Sequence, residues 1–244
     1  MKQGFFEIVE NTPLTDTVYK MVLSGDVSAI TAPGQFVNIK LDGLYLRRPI
    51  SVCDVTENTL TILYKTVGQG TNQLSRMTKG KLDLLTGLGN GYDLSLSGDK
   101  PVLIGGGVGV PPMYLLAKKL LAMGKKVQVI LGFNTASEKF YEEEFKNLGA
   151  EVYVTTVDGT YGTKGFVTEV LKDMDYSYFY TCGPEPMLKA VYTATNTSGQ
   201  MSFEKRMGCG FGACMGCSCK TITGYKRICK EGPVMLKEEI LWEN

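Results

Sequence analysis

The alternation of hydrophobic and polar positions changes rhythm twice along the chain. Through residue 98, short runs rich in Val, Ile, Thr, Tyr and Phe recur: Phe5–Val9, Thr17–Leu23, Gln35–Leu41, Ile50–Val55 and Thr59–Lys65. Turn signals such as Asn11-Thr12-Pro13, Ala32-Pro33-Gly34 and Asp42-Gly43 separate them. Strands this short and this closely spaced predict a barrel or sandwich, with one short helix over Asn72–Met77.

From residue 99 to 199 apolar strands alternate with helical patterns. Pro101–Ile104 leads through a glycine-rich turn into a helix over Met113–Met123, which Gly124 stops. The strand Val127–Gly132, a helix over Glu138–Leu148 and the strand Glu151–Thr156 follow. A helix at Phe166–Leu171, a strand at Tyr176–Thr181 and a helix at Pro186–Thr195 complete the region. Such alternation predicts a doubly wound parallel sheet. Residues 200–244 show little regular pattern beyond Lys220–Thr223 and Pro233–Leu236, yet are dense in Cys and Gly. A segment without a core of its own needs another staple, and a metal centre is one. The expected organisation is a Greek-key β-barrel domain over 1–98, an α/β domain over 99–199 and an irregular metal-binding domain over 200–244.

Composition removes several chemistries. The chain has 244 residues and no histidine, which excludes a Ser-His-Asp hydrolase, a His-bearing zinc site, a Rieske centre and a His-ligated haem. A net charge of +1 supplies no field for nucleic acid or an anionic membrane. No apolar run approaches the ~18 residues of a membrane span, and Glu7 follows the start too closely for a signal peptide. A cytoplasmic location is expected, where thiols stay reduced and clustered cysteines more often bind metal.

Five of the seven cysteines fall between Cys209 and Cys229. Cys209, Cys214 and Cys217 have the C-x4-C-x2-C spacing of plant-type [2Fe–2S] sites, which add one distant cysteine. Gly208, Gly210, Gly212 and Gly216 let the backbone turn tightly and aim N–H groups at sulfur. A structural zinc site is the alternative, but zinc pairs usually show C-x2-C on both sides. Cys229 is favoured as fourth ligand over Cys219, because Gly224 lets the intervening segment turn back.

The turn Gly105-Gly106-Gly107-Val108-Gly109, ending in Pro111-Pro112, stands between a strand and a helix. There a pyrophosphate can approach the backbone and the helix N-terminus, although packing alone also explains such glycines. Arg47-Arg48-Pro49-Ile50-Ser51 and Gly68-Gln69-Gly70-Thr71 offer an arginine, a hydroxyl and an amide turn that suit a diphosphate; taken alone they read as an ordinary strand entry. Cys182-Gly183-Pro184-Glu185 follows the last parallel strand, at the edge where open α/β sheets bind ligands.

With these motifs in this order, the chain resembles the ferredoxin–NADP reductase superfamily over nearly its whole length, and within it the electron-transfer subunits of class 1B dihydroorotate dehydrogenases. Gly87–Gly91, Asp158–Gly162 and Cys182–Met187 also match. The resemblance implies a barrel that binds FAD, with Arg48 on its diphosphate and Ser51 near the flavin N5 edge. Pro49, Ile50, the strand Leu63-Tyr64-Lys65 and the Gly70-Thr71 turn complete that site. The superfamily usually has Tyr at the position of Ile50, whereas this branch has an aliphatic residue there. Gly105, Gly106, Gly107 and Gly109 then meet the NAD pyrophosphate, and Cys182, Gly183, Pro184 and Glu185 the nicotinamide side. Val127 through Ser137 contains no Arg or Lys for a 2′-phosphate, which favours NAD over NADP.

By the same resemblance, an FMN-bearing catalytic subunit oxidises dihydroorotate in trans, in a heterotetramer of two of each chain, and the cluster loop is its expected contact. A flavin takes two electrons as hydride and releases them singly, so no side chain need act as acid or base. A reductase subunit of a sulfide dehydrogenase, a hydrogenase or a ferredoxin:NADP oxidoreductase is the nearest rival. A zinc-stapled nucleotide-binding module and a self-sufficient reductase are the others.

Overall fold

The computed structural model describes residues 1–242. Six strands close a barrel: β1 (Lys2–Pro13), β2 (Val18–Ser24), β3 (Phe36–Ile39), β4 (Arg48–Val55), β5 (Thr59–Lys65) and β6 (Lys81–Leu88). Their order is β1-β2-β5-β4-β3-β6. Alternate residues fill the interior, Phe6 and Ile8 from β1, Val37 and Ile39 from β3, Leu60 and Ile62 from β5. The sequence pattern anticipates only five of these strands. In β6, Leu82 and Leu84 face inward, but a leucine-rich run with one β-branched residue has weak strand preference. Pairing with both β1 and β3 makes it a strand.

Helix α1 (Gln69–Ser75) begins three residues earlier than expected. Its start is set by Thr71, whose hydroxyl accepts hydrogen bonds from the N–H groups of Val67 at 2.9 Å and Gly68 at 3.3 Å.

The next region contains β7 (Pro101–Gly106), α2 (Pro111–Ala122), β8 (Gln128–Phe133), α3 (Glu142–Leu148) and β9 (Glu151–Thr156). It continues through β10 (Thr163–Lys164), α4 (Val167–Leu171), β11 (Tyr178–Cys182), α5 (Glu185–Ala194) and β12 (Gly199–Ser202). A hairpin of β13 (Ser218–Thr221) and β14 (Gly224–Arg227) precedes β15 (Val234–Leu236). The sheet order is β10-β9-β8-β7-β11-β12-β15, parallel throughout except for the last pair. Two features depart from expectation. The regular stretch expected at Pro233–Leu236 forms β15, but it joins this sheet rather than staying within the cysteine-rich segment. The helix expected over Glu138–Leu148 is broken, because Tyr141 adopts φ 67°. That turn lets Phe140 and Tyr141 both bury their rings, Phe140 edge-on to Phe133 and Tyr141 edge-on to Tyr114. Tertiary packing of two aromatics overrides one turn of helix.

Two cores join the regions. Val18, Cys53, Leu63 and Tyr92 of the N-terminal region pack with Met113, Leu116 and Leu131 on one face of the sheet. Phe36, Leu85 and Leu88 pack with Ile104, Phe179 and Met201 on the other, together with Cys217, Ile228 and Cys229. Lys118 of α2 bridges to Asp54 of β4 at 2.9 Å. The cysteine-rich segment is thus seated on the barrel's outer face.

Candidate functional site

The cysteine loop owes its path to backbone that side chains disfavour. Gly210 and Gly212 have φ of 76° and 91°, a region that costs glycine little. Within it, the N–H of Ala213 donates to Cys209 Sγ at 3.2 Å and that of Cys209 to Cys214 Sγ at 3.5 Å. Across it, the N–H of Cys229 donates to Cys217 Sγ at 3.4 Å. Among the described residues no three His, Cys, Asp or Glu side chains converge as around a single metal ion. The thiols form two pairs instead, Cys209 with Cys214 and Cys217 with Cys229. One tetrahedral zinc needs four converging ligands, whereas two pairs suit a dinuclear centre.

Partial burial works to raise the Cys209 pKa, but the N–H groups of Phe211, Cys214 and Ala213 and the Cys214 thiol outweigh it and draw it down to about 6. Burial, a hydrogen bond with Cys217 and the charges of Cys217 and Cys209 push Cys229 up. Cys219 lies on β13, opposite Lys226 in the hairpin register, and packs against the core that holds Cys217 and Cys229; burial raises its pKa, Cys217 adds to the rise, and Lys205 and Lys226 oppose it. Arg227 closes the far side, pairing with Glu231 and donating to the Gly212 carbonyl at 2.5 Å.

The two adjacent arginines have different fates. Arg47 is bound into the barrel: Nη1 donates to the Asp83 carbonyl at 2.9 Å and Nη2 to Asp83 Oδ2 at 2.9 Å. Arg48 instead lies over Gly70, where a Cβ would come within 2.4 Å of its Nε. Strand β4 therefore brings Arg48 to the α1 turn, with Pro49, Ile50 and Ser51 half-buried beside it.

Strand β5 extends past its register with β4, which ends at Val52–Ile62, while Leu63, Tyr64 and Lys65 stay paired to β2. The Tyr64 side chain is turned into the barrel, stacked on Tyr19, with its hydroxyl donating to Asn11 Oδ1 at 2.9 Å. Burial raises its pKa to about 12. What it presents to the β4 side is main chain.

At the sheet's carboxyl edge the glycine turn meets the β11 loop. A Cβ on Gly109 would come within 2.2 Å of the Cys182 carbonyl oxygen, and one on Gly106 within 2.4 Å of Met187 Sδ. Gly105–Gly109 and Cys182–Glu185 thus form one surface. Burial pushes the Cys182 thiol up to about 12, with Ser202 lowering it and the Glu204 carboxylate raising it. A cavity of about 270 Å³ opens there, lined by Gly183, Pro184, Glu185, Phe203, Lys205 and Arg206 among others.

Sequence reasoning missed Ser202, Glu204 and the Phe203–Arg206 wall, and it missed Asn38 of β3. The Nδ2 of Asn38 donates to the Cys209 carbonyl at 3.2 Å. None of these lies in a motif; only the pairing of distant strands reveals them. Lys139, just beyond the stretch read for 2′-phosphate ligands, is paired with buried Glu142 at 2.5 Å and lies over the Tyr161 ring.

Comparison with known proteins agrees with this layout. The profile of the iron-sulfur cluster binding domain of dihydroorotate dehydrogenase B matches residues 204–241, and that of the oxidoreductase NAD-binding domain residues 103–193. The dihydroorotate dehydrogenase B (NAD(+)) electron transfer subunit of Fusobacterium nucleatum is 46% identical, with 96% of each chain covered. The chain belongs to this family.

A second electron transfer subunit, from a Geobacillus species, is 43% identical with 99% of each chain covered. Among solved structures, an NADH-dependent reduced ferredoxin-NADP oxidoreductase aligns with a TM-score of 0.88 at 28% identity, covering 98% of this chain and 90% of the other. A Neisseria gonorrhoeae ferredoxin NADP+ reductase with bound FAD and NADP shares the fold, with a TM-score of 0.70 at 18% identity over 80% of this chain and 90% of the other. A subunit of dihydroorotate dehydrogenase B has a catalytic partner. Among the described residues no helix is long and apolar enough to cross a membrane.

Proposed function

We propose that this chain carries electrons from an FMN-bearing dihydroorotate dehydrogenase subunit to NAD+, through a [2Fe–2S] cluster and FAD. The reading rests on one observation above the rest: two thiol pairs, held by main-chain N–H groups, in a loop seated on the barrel that carries Arg48 and Ser51. Cys209, Cys214, Cys217 and Cys229 hold the cluster, and Cys219 is left to the hairpin. The FAD site takes Arg48 on the diphosphate, Pro49, Ile50 and Ser51 beside the ring, the main chain of Leu63–Lys65, and Gly70 and Thr71. The NAD pyrophosphate lies on Gly105, Gly106, Gly107 and Gly109, with its nicotinamide end toward Cys182, Gly183, Pro184 and Glu185.

FAD held there would supply hydride exchange with nicotinamide and single-electron exchange with the cluster, while the chain's own residues bind, orient and exclude water. Arg48 neutralises diphosphate charge, and the Gly109–Cys182 contact holds the two NAD loops together. Lys139 is engaged by Glu142, which leaves it poorly placed to recruit a 2′-phosphate and favours NAD. The chain divides into an FAD-binding region over 1–98, an NAD-binding region over 99–199 and a cluster region over 200–244, whose residues 243–244 lie outside those described. The complex is a cytoplasmic heterotetramer with the cluster loop facing the catalytic subunit.

Co-purification with a candidate catalytic subunit tests the reading. NADH should form from dihydroorotate only when both chains are present, and the purified chain should contain flavin, iron and inorganic sulfide. A colourless protein with stoichiometric zinc overturns it.

A further inference from the structure

Asn38 stands where the cysteine loop meets strand β3, and no motif marks it. It lies on β3, directly opposite Pro49 of β4, while Phe36 lies opposite Ser51. Residues directly opposite in an antiparallel pair point to the same face of the sheet. Val37 and Ile39 point into the barrel, so Asn38, Pro49, Phe36 and Ser51 share the outer face. Asn38 is 1% exposed, and its Nδ2 donates to the Cys209 carbonyl at 3.2 Å. A carbonyl can only accept, so the amide's orientation is fixed. Gly210 completes the seat, because a Cβ there would come within 2.3 Å of Nδ2. Arg47 Nη1 donates to the main-chain carbonyl of Asn38 at 3.3 Å. The Oδ1 of Asn38 is buried without a partner among the described residues. A buried amide with an unmet acceptor costs stability, and an apolar side chain would fill the same space without that cost.

Resting on the function proposed above, we infer that Asn38 is the positioning residue for electron transfer between flavin and cluster: its amide fixes Cys209 against the face that carries Pro49 and Ser51. Each transfer moves one electron from the reduced centre to the oxidised one, with no bond made or broken. Two transfers accompany each hydride exchanged with nicotinamide. The rate of such a step falls steeply with separation, so a seat that holds one cluster ligand to the flavin strand controls it without touching either redox group.

The test uses the full chain, prepared anaerobically with FAD and cluster, in Asn38→Ala and Asn38→Asp forms. Ala removes the donor, and Asp turns an acceptor toward the Cys209 carbonyl. NADH should reduce the flavin at the wild-type rate in both variants, while the following reduction of the cluster slows about tenfold or more, as expected for a misplaced reacting centre. The electron paramagnetic resonance spectrum of the reduced cluster should shift, and in the metal-free chain proteases should cut the 208–216 loop faster.

Iron loss with FAD and its reduction by NADH intact also supports the seat. Wild-type rates, spectrum and protease resistance in loaded Asn38→Ala overturn it, as does loss of FAD together with iron, which would make Asn38 a barrel residue. A wild-type chain that binds neither flavin nor cluster sinks the functional reading itself.

Discussion

Arg48 lies over Gly70 with no room for a side chain between them: a Cβ on Gly70 would stand 2.4 Å from the Arg48 Nε. Two segments 22 positions apart in sequence (48 and 70) thus form one cationic corner. Its neighbour Arg47 is fully engaged with Asp83. Position along β4 decides which of the two is tied to Asp83 and which, donating to the Leu46 carbonyl, reaches the α1 turn.

Gly70→Ala should therefore displace Arg48 and weaken FAD. A hydrogen bond to a charged group contributes about 1.5–3 kcal/mol, so the dissociation constant should rise roughly 10- to 100-fold. Fluorescence titration of the flavin-free chain measures it. Arg47→Ala is the contrast, since it should lower the melting temperature and leave FAD affinity within about threefold. Equal FAD affinity in Gly70→Ala and wild type would show that the Arg48–Gly70 contact plays no part in FAD binding.

The cysteine pairs predict an asymmetric response to serine. Cys229→Ser removes the partner of Cys217 and should abolish the visible cluster spectrum. Cys219→Ser changes a thiol beside Lys205 and Lys226 and should retain it, with iron and sulfide near wild-type content. Bleaching by Cys219→Ser alone would reassign the fourth ligand.

Local chemistry was readable in the sequence wherever the backbone itself is constrained. Cys209 to Cys217 and Gly105 to Gly109 each need glycine for close approach or left-handed turns, and that need leaves a spacing signature. What depends on distant pairing left none. Lys81–Leu88 becomes a strand only between β1 and β3, the regular stretch at Val234–Leu236 finds its sheet only beside β12, and Asn38 becomes informative only when Cys209 arrives at it. Tyr141 shows the same limit from the other side, since a helical pattern gave way to two buried rings.

Gly109 offers a separate handle on the NAD surface. Its Cα packs against the Cys182 main chain, where a Cβ would come within 2.2 Å of a carbonyl oxygen. Main chain cannot rotate away as a side chain can. Overpacking of this kind costs about 1–3 kcal/mol, and the cost falls on the turn and the β11 loop together. Gly109→Ala should retain FAD and cluster but oxidise NADH with kcat/KM reduced roughly tenfold or more. Steady-state NADH oxidation with ferricyanide as acceptor measures it, and an unchanged kcat/KM would separate the glycine turn from NAD binding.

Acid sensitivity should trace in part to Asp83. Burial alone would raise its carboxyl, but Arg47 and Gln3 donate to it and Arg47 adds its charge, so the net pKa falls below the ordinary 3.8. A carboxyl depressed on folding contributes stability above its unfolded pKa and loses it as pH falls through the folded value. The contribution is therefore complete at neutral pH and fades below about pH 4. Asp83→Asn cannot ionise and leaves the partly buried Arg47 unpaired, so it should destabilise the chain at pH 7 by about 1–3 kcal/mol. The gap to wild type should narrow as both are acidified. Urea unfolding of the two proteins from pH 7 to pH 3 reads this directly, and a gap that stays constant over that range would remove the Arg47–Asp83 pair as a source of acid lability.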